Sequence, residues 1–255
     1  MAYPYAWDYR FYYPVFYWSF FLLMLVTDLL FKKYRIGQEK EEKAMEAEVK
    51  ATIEDAQKLM VNSVAAIGRM IDEKDNYTRQ HSQRVADYSR LIAENLKSFH
   101  PIEKEVDQIY RSALLHDIGK IAIPDAILKK TSRLTDEEYA IMKTHPVWGK
   151  KILAGLSFLP QADYGASYHH ERYDGKGYPE GIRTDDLPYI VRIISAADEL
   201  DAMNSNRCYR KQCSRNYIIS EFEKGSGTQF DPEVAETVIY LIEEGKIEIP
   251  EGENA

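Results

Sequence analysis

Residues 11–31 read FYYPVFYWSFFLLMLVTDLLF, a run whose one charge is Asp28. A helix needs about 20 predominantly apolar residues to cross the hydrocarbon of a bilayer, and this run is long enough. Tyr12, Tyr13, Tyr17 and Trp18 cluster at one end, where amphipathic rings favour the headgroup zone. Lys32, Lys33 and Arg35 follow the run, against Arg10 alone before it, so the positive-inside rule puts the C-terminal part in the cytoplasm. A cleaved signal peptide fits poorly, with no basic start and no small-residue cleavage site. The expectation is a single transmembrane helix over 11–31. Pro14 and Asp28 favour the alternative, a helix that packs on a domain or lies in the interface.

Residues 37–71 contain no proline and no glycine between Gly37 and Gly68, which predicts one helix. Met45, Val49, Ile53, Ala56, Met60, Val64, Ile67 and Ile71 recur at steps of three and four in an 11-residue repeat. That repeat keeps one apolar stripe along a nearly straight helix. Glu and Lys fill much of the other face. A partner helix would cover the stripe, and a parallel homodimer is the simplest candidate.

From residue 72 onward the pattern is helical with short loops. Val85, Tyr88, Ile92 and Leu96 mark one helix, and Val106, Ile109, Tyr110, Ala113 and Leu114 another. Thr135 and Glu138 have capping-box spacing, and Asp231-Pro232 reads as an N-cap followed by proline in the first turn. The β-branched run Ile190–Ile194 continues into SAADELDAM, which forms helix, so the whole segment is assigned as helix. The predicted fold class is all-α. Cys208 and Cys213 match neither a C-x-x-C motif nor a disulfide framework, in keeping with a reducing compartment. A net charge of −8 argues against capture of DNA or RNA, which needs a basic face.

The six histidines carry the chemistry. His116 stands in LLHDIGK beside Asp117 and four residues before Lys120. His81 lies in DEKDNYTRQHSQ, His145 in THPVWG, and His169 and His170 in HHERYDGKGYPEG; Asp198 follows in ISAADELD. His100, in SFHPIE, has no acidic or glycine context and is assigned to the surface. Each histidine alone reads as structural or exposed. Together with the carboxylates they exceed what one tetrahedral ion takes, and a pair of metals is the economical reading.

The segments HDIGK, THPVWG, HHERYDGKGYP and AAD, in this order, resemble the HD-GYP subgroup of the HD phosphohydrolase superfamily. The similarity runs from about Asp72 to Val238 and includes RCYR at 207–210 and FDP at 230–232. The resemblance implies an all-helical domain over 72–245, preceded by the hydrophobic segment 1–36 and the connecting helix 37–71 and followed by a tail, 246–255. It implies a binuclear or trinuclear site, often iron or manganese, and hydrolysis of cyclic di-GMP to pGpG and then GMP. The implied ligands are His81, His116, Asp117, His145, His169, His170 and Asp198, with Asp117 bridging. Lys120 matches the lysine that contacts the scissile phosphate or the bridging hydroxide. Arg207, with Arg210 or Lys211, resembles the basic group near the substrate phosphates. A glutamate found four residues before the first histidine in three-metal members is Tyr77 here, which favours two ions. Gln80 stands where glycine is common and Cys208 where proline is common.

A two-metal site suits phosphodiester hydrolysis, and the apolar run with its basic flank would place such a bacterial enzyme at the cytoplasmic membrane, catalytic domain inside. Two other readings remain open: a domain that senses cyclic di-GMP without useful turnover, and an enzyme acting on another cyclic dinucleotide. The leaving-group acid has no assignment; Glu171 is close to His170 but could equally orient a ligand histidine. The glycines of DGKGYP would let backbone approach a bulky dinucleotide. Tyr178 is left with substrate, partner or core as its neighbour.

Overall fold

The computed structural model describes residues 9–75, 80–155, 161–183, 186–205 and 212–249. Among these the chain is all-α, with no strand. It divides into two units, Met1–Leu59 and Met60–Ala255.

The transmembrane segment and the connecting helix, expected as two elements, are one: α1 runs from Tyr9 to Lys74. Pro14 falls within its first two turns, where the missing N–H and the ring interfere with few helical bonds. One stretch of α1 is long and apolar enough to cross a membrane. Asp28, the one charge in the 11–31 run, pairs with Lys32 at 2.7 Å, one turn toward the basic flank. In the first unit Met45, Val49 and Ile53 of the stripe are exposed. Its continuation has a different use. Val64 and Ile71 are 2% and 5% exposed in the core of the second unit, with Met60 packed against it. The repeat therefore serves two purposes: its earlier part is exposed, and its later part is buried at Val64 and Ile71, with Ile67 between them 39% exposed.

In the second unit α2 (His81–Asn95), α3 (Glu103–Leu114) and α8 (Tyr189–Asn204) pack on one another, with α9 (Arg215–Gly225) and α10 (Pro232–Glu243) beside them. Helix α8 is apolar on nearly all sides and buries Ile190, Val191, Ile193, Ile194 and Leu200, which accounts for the β-branched run: a central helix has no solvent face. A 3-10 turn over Ile118–Ala122 leads to α4 (Asp125–Leu128), α5 (Asp136–Met142), α6 (His145–Leu153) and α7 (Ala162–Tyr168). Both caps appear as expected: the Thr135 hydroxyl accepts from the Glu138 N–H and the Glu138 carboxylate from the Thr135 N–H. Asp231 accepts from the N–H groups of Glu233 and Val234. Its second oxygen takes a 3.0 Å hydrogen bond from Arg192, tying α10 to α8.

Gln80, directly before α2, has φ +63°. The left-handed region is costly for a residue with a Cβ, about 1–2 kcal/mol, and glycine would adopt it without that strain.

Candidate metal centre

The seven expected ligands come from five places far apart in sequence, and most sit at helix ends. His81 opens α2; His116 and Asp117 lie between α3 and the 3-10 turn; His145 opens α6; His169 and His170 follow α7. Asp198 alone comes from mid-helix, on α8. A helix terminus allows a side chain to turn inward while its own ring N–H meets a nearby carbonyl. That is the arrangement here: Nδ1 of His116 lies 2.7 Å from the Ala113 carbonyl, Nδ1 of His145 2.9 Å from that of Met142, and Nδ1 of His169 2.8 Å from that of Gly165. His81 Nδ1 instead faces the Asp201 carboxylate at 2.7 Å. In each ring the acceptor fixes a proton on Nδ1, so that in the neutral, metal-binding form the lone pair is on Nε2.

These lone pairs face one another. His81 and His116 bring their Nε2 atoms to 3.3 Å, and His145 and His169 to 3.2 Å. The Asp117 carboxylate lies between the two pairs. Its Oδ2 is 3.7 Å from His81 Nε2 and 3.3 Å from His116 Nε2. Its Oδ1 is 3.5 Å from His145 Nε2 and 3.8 Å from His169 Nε2. Asp198 Oδ1 completes the first group, 3.3 Å from His81 Nε2 and 3.8 Å from His116 Nε2. His170 joins His145 and His169 in the second. Opposed lone pairs and carboxylate oxygens at these distances repel unless a cation lies among them. The donor set, imidazole nitrogen with carboxylate oxygen, fits transition-metal ions.

The proton equilibria follow the same division. Burial pushes His145 down to about 3 and His169 and His170 below the ordinary imidazole range, which leaves all three neutral, the form that binds metal. Burial opposes the charge on His81 too, but hydrogen bonds to Asp198 and Asp201 outweigh it and raise His81 to about 10, so that a metal binding at Nε2 would displace a proton there. Asp117, although buried, is held well below the usual carboxylate range by Lys120 and His116.

Lys120 points into the cluster, its Nζ 2.7 Å from Asp117 Oδ2 and 3.1 Å from Asp75 Oδ2. The cluster opens onto a cavity of about 640 Å³, within the usual range for small-molecule sites. Its far wall runs from Ile127 to Met142 and includes Lys130, Arg133 and Tyr139. Tyr178 also lines it, stacked on His170 with ring centres 4.7 Å apart. Tyr178 therefore faces the cavity, with His170 as its stacking neighbour. His100 is exposed, as expected. Arg207, Arg210 and Lys211, with Tyr77 and Cys208, lie outside the described residues.

Two expectations change. Glu171 neither orients a ligand histidine nor points at the cavity. Its buried carboxylate accepts from the N–H groups of Glu180 (2.7 Å), Gly181 (3.0 Å) and Ile182 (3.1 Å), folding the DGKGYP loop back on itself. The loop's glycines have a use within the chain itself. A Cβ on Gly177 would lie 2.5 Å from the backbone of His170, Glu171 and Arg172, and Gly175 and Gly181 have φ of +74° and +67°. We expect Glu171→Ala to cost about 2–3 kcal/mol, because three N–H groups lose a charged acceptor. Urea unfolding measures this, and an unchanged midpoint would rule out the anchoring role.

Asp201 was missed by the sequence reading. It is 1% exposed, orients His81 and takes both Arg84 Nε (2.5 Å) and Nη2 (3.0 Å). Its signal was present in DELD: residues three apart share a helix face, so the face carrying Asp198 also carries Asp201.

A family model described as an HD domain matches residues 66–234. The chain belongs to the HD domain family. His116 and Asp117 are the adjacent His-Asp pair, and HHERYDGKGYP carries the likeness to the HD-GYP subgroup. The HD domain is similar to that of a cyclic di-GMP phosphodiesterase of Vibrio cholerae, 35% identical over 193 residues, which are 71% of this chain and 39% of that relative. It is also similar to 3'3'-cGAMP-specific phosphodiesterase 3 of the same organism, 38% identical over 172 residues, 67% of this chain and 36% of that one. Both matches span well under two thirds of the relative. A solved cyclic GMP-AMP specific phosphodiesterase of V. cholerae shares the fold, with TM-score 0.56 and 18% identity over 73% of this chain and 49% of that one.

Proposed function

We propose that the chain is a metal-dependent phosphodiesterase that opens a cyclic dinucleotide, cyclic di-GMP first among them, to the linear pGpG and then GMP. The observation that carries this reading is the pair of opposed Nε2 lone pairs on either side of Asp117. His81, His116 and Asp198 would hold one divalent ion and His145, His169 and His170 a second, iron or manganese by the family resemblance, with Asp117 giving one oxygen to each. Two such ions, when bound, supply an activated water and relieve charge on a phosphate oxygen.

The protein's own groups do the rest. Lys120 offers its ammonium to the phosphate oxygen that gains charge as the bond breaks. It stays cationic despite burial, because Asp117 and Asp75 more than offset the cost of desolvation. The aromatic and cationic walls, Tyr139, Tyr178, Lys130 and Arg133, suit the bases and second phosphate of a dinucleotide. Arg207, Arg210 and Lys211 add phosphate contacts in this reading. Several relatives are named for cyclic di-GMP or 3'3'-cGAMP, which supports the substrate class. The apolar run of α1 would anchor the enzyme in the bacterial cytoplasmic membrane with the HD domain in the cytoplasm. The exposed stripe of Met45, Val49 and Ile53 would join two copies as a parallel dimer.

The test is anaerobic purification of the full chain in detergent, metal analysis and chromatography after incubation with cyclic di-GMP, 3'3'-cGAMP and cyclic di-AMP. Metal-dependent conversion of cyclic di-GMP to linear product is expected, abolished by chelation and restored by iron or manganese. Tight binding without product from any of the three would replace this reading with that of a sensor.

A further inference from the structure

We infer that Lys74, the last residue of α1, is a positioning residue for Lys120, an inference that rests on the phosphodiesterase reading above. The 3-10 turn Ile118–Ala122 presents Lys120, and its end closes with the Ile123 N–H on the Lys120 carbonyl at 3.1 Å. Lys74 Nζ donates to three of the carbonyls around that end: Lys120 at 3.2 Å, Ile121 at 2.8 Å and Ile123 at 3.1 Å. Asp125 lies 3.6 Å from the same ammonium. The next residue, Asp75, is 5% exposed and takes the Lys120 ammonium at 3.1 Å. Two consecutive residues thus grip residue 120 at both ends, Lys74 by its carbonyl and Asp75 by its side chain.

The grip has a chemical consequence. The Lys120 ammonium is already 2.7 Å from Asp117, so a small rotation of the turn moves it along that carboxylate and away from the phosphate it must meet. Lysine suits the position because its three N–H donors form a point charge that can serve three converging carbonyls. The other links of α1 go elsewhere: Asp72 receives the N–H and hydroxyl of Ser82, beside His81. The last turn of α1 is therefore joined to both the first histidine and the lysine, and any change in its pitch reaches both.

A double-mutant cycle on the full chain reads this directly. K74M should lower kcat for cyclic di-GMP on the order of tenfold with KM within about twofold and metal content unchanged, since orientation errors act on the transition state. K74R, whose planar guanidinium keeps the charge but not the three converging contacts, should restore the rate in part. In the K120A background, adding K74M should change kcat by less than about twofold, because the residue it positions is gone. Wild-type kcat in K74M, or the same fold-loss in both backgrounds, would overturn the inference. K74Q, with fewer donors on a shorter stem, carries the same expectation should K74M fail to fold. Hydrogen exchange over residues 118–123 needs no turnover: faster exchange in the variant is expected, and unchanged exchange overturns the grip. An inactive wild type with faster exchange in the variant would refute the phosphodiesterase reading and leave the grip standing.

Discussion

Replacing Asp117 by alanine is expected to lower hydrolysis of cyclic di-GMP on the order of 10³-fold or more, since charge stabilisation by a paired-ion site is worth several kcal/mol and each 1.36 kcal/mol is tenfold. The substitution removes the one carboxylate whose two oxygens face different histidine pairs. It also removes the partner 2.7 Å from the Lys120 ammonium, leaving that group to Asp75. Metal analysis should show fewer than two ions per chain. Asp117→Asn separates shape from charge: it keeps the volume, weakens both ion positions and should be nearly as inactive. Full turnover by Asp117→Ala after stripping and reloading with metal would contradict the assignment.

Gly119→Ala is expected to be the most damaging change that touches no donor atom. A Cβ there would lie 1.8 Å from the His145 carbonyl oxygen, 2.8 Å from its carbon and 2.6 Å from the Gly149 nitrogen. All three atoms are backbone of α6, so no side chain can rotate away. The 3-10 turn and α6 must separate, and Asp117 and His145, which ride on the two elements, separate with them. Overpacking of this kind costs roughly 1–3 kcal/mol or more, and a displacement near 1 Å at a reacting centre costs on the order of 100-fold in rate. Thermal unfolding and kcat on the purified variant measure both. A variant with the wild-type melting temperature and rate would show that the turn and α6 are not in this contact.

How much of this was legible in the sequence depended on whether a residue's job shows in its own type. The seven histidine and carboxylate positions were found because few other jobs call for that set, and the structure brings all seven together. The helical class was legible from periodicity, and α8 from the polar, helix-forming continuation after its β-branched start. Asp201 was not, because a carboxylate in DELD reads as a solvated helix face until packing buries it. Glu171 could not be assigned because its partners, three backbone N–H groups nine to eleven residues on, have no sequence signature. The stripe of α1 was visible, but the point at which it passes from exposed surface to core depends on where the domain closes over Val64 and Ile71. Lys74 was hidden for the same reason, since a lysine at a helix end is the commonest of surface features.

The most direct test of the paired-ion site is anomalous diffraction from crystals grown anaerobically with iron or manganese. Two peaks are predicted, one among His81, His116 and Asp198 and one among His145, His169 and His170, with an oxygen of Asp117 toward each. A single peak, or ions bound only outside this cluster, would contradict it.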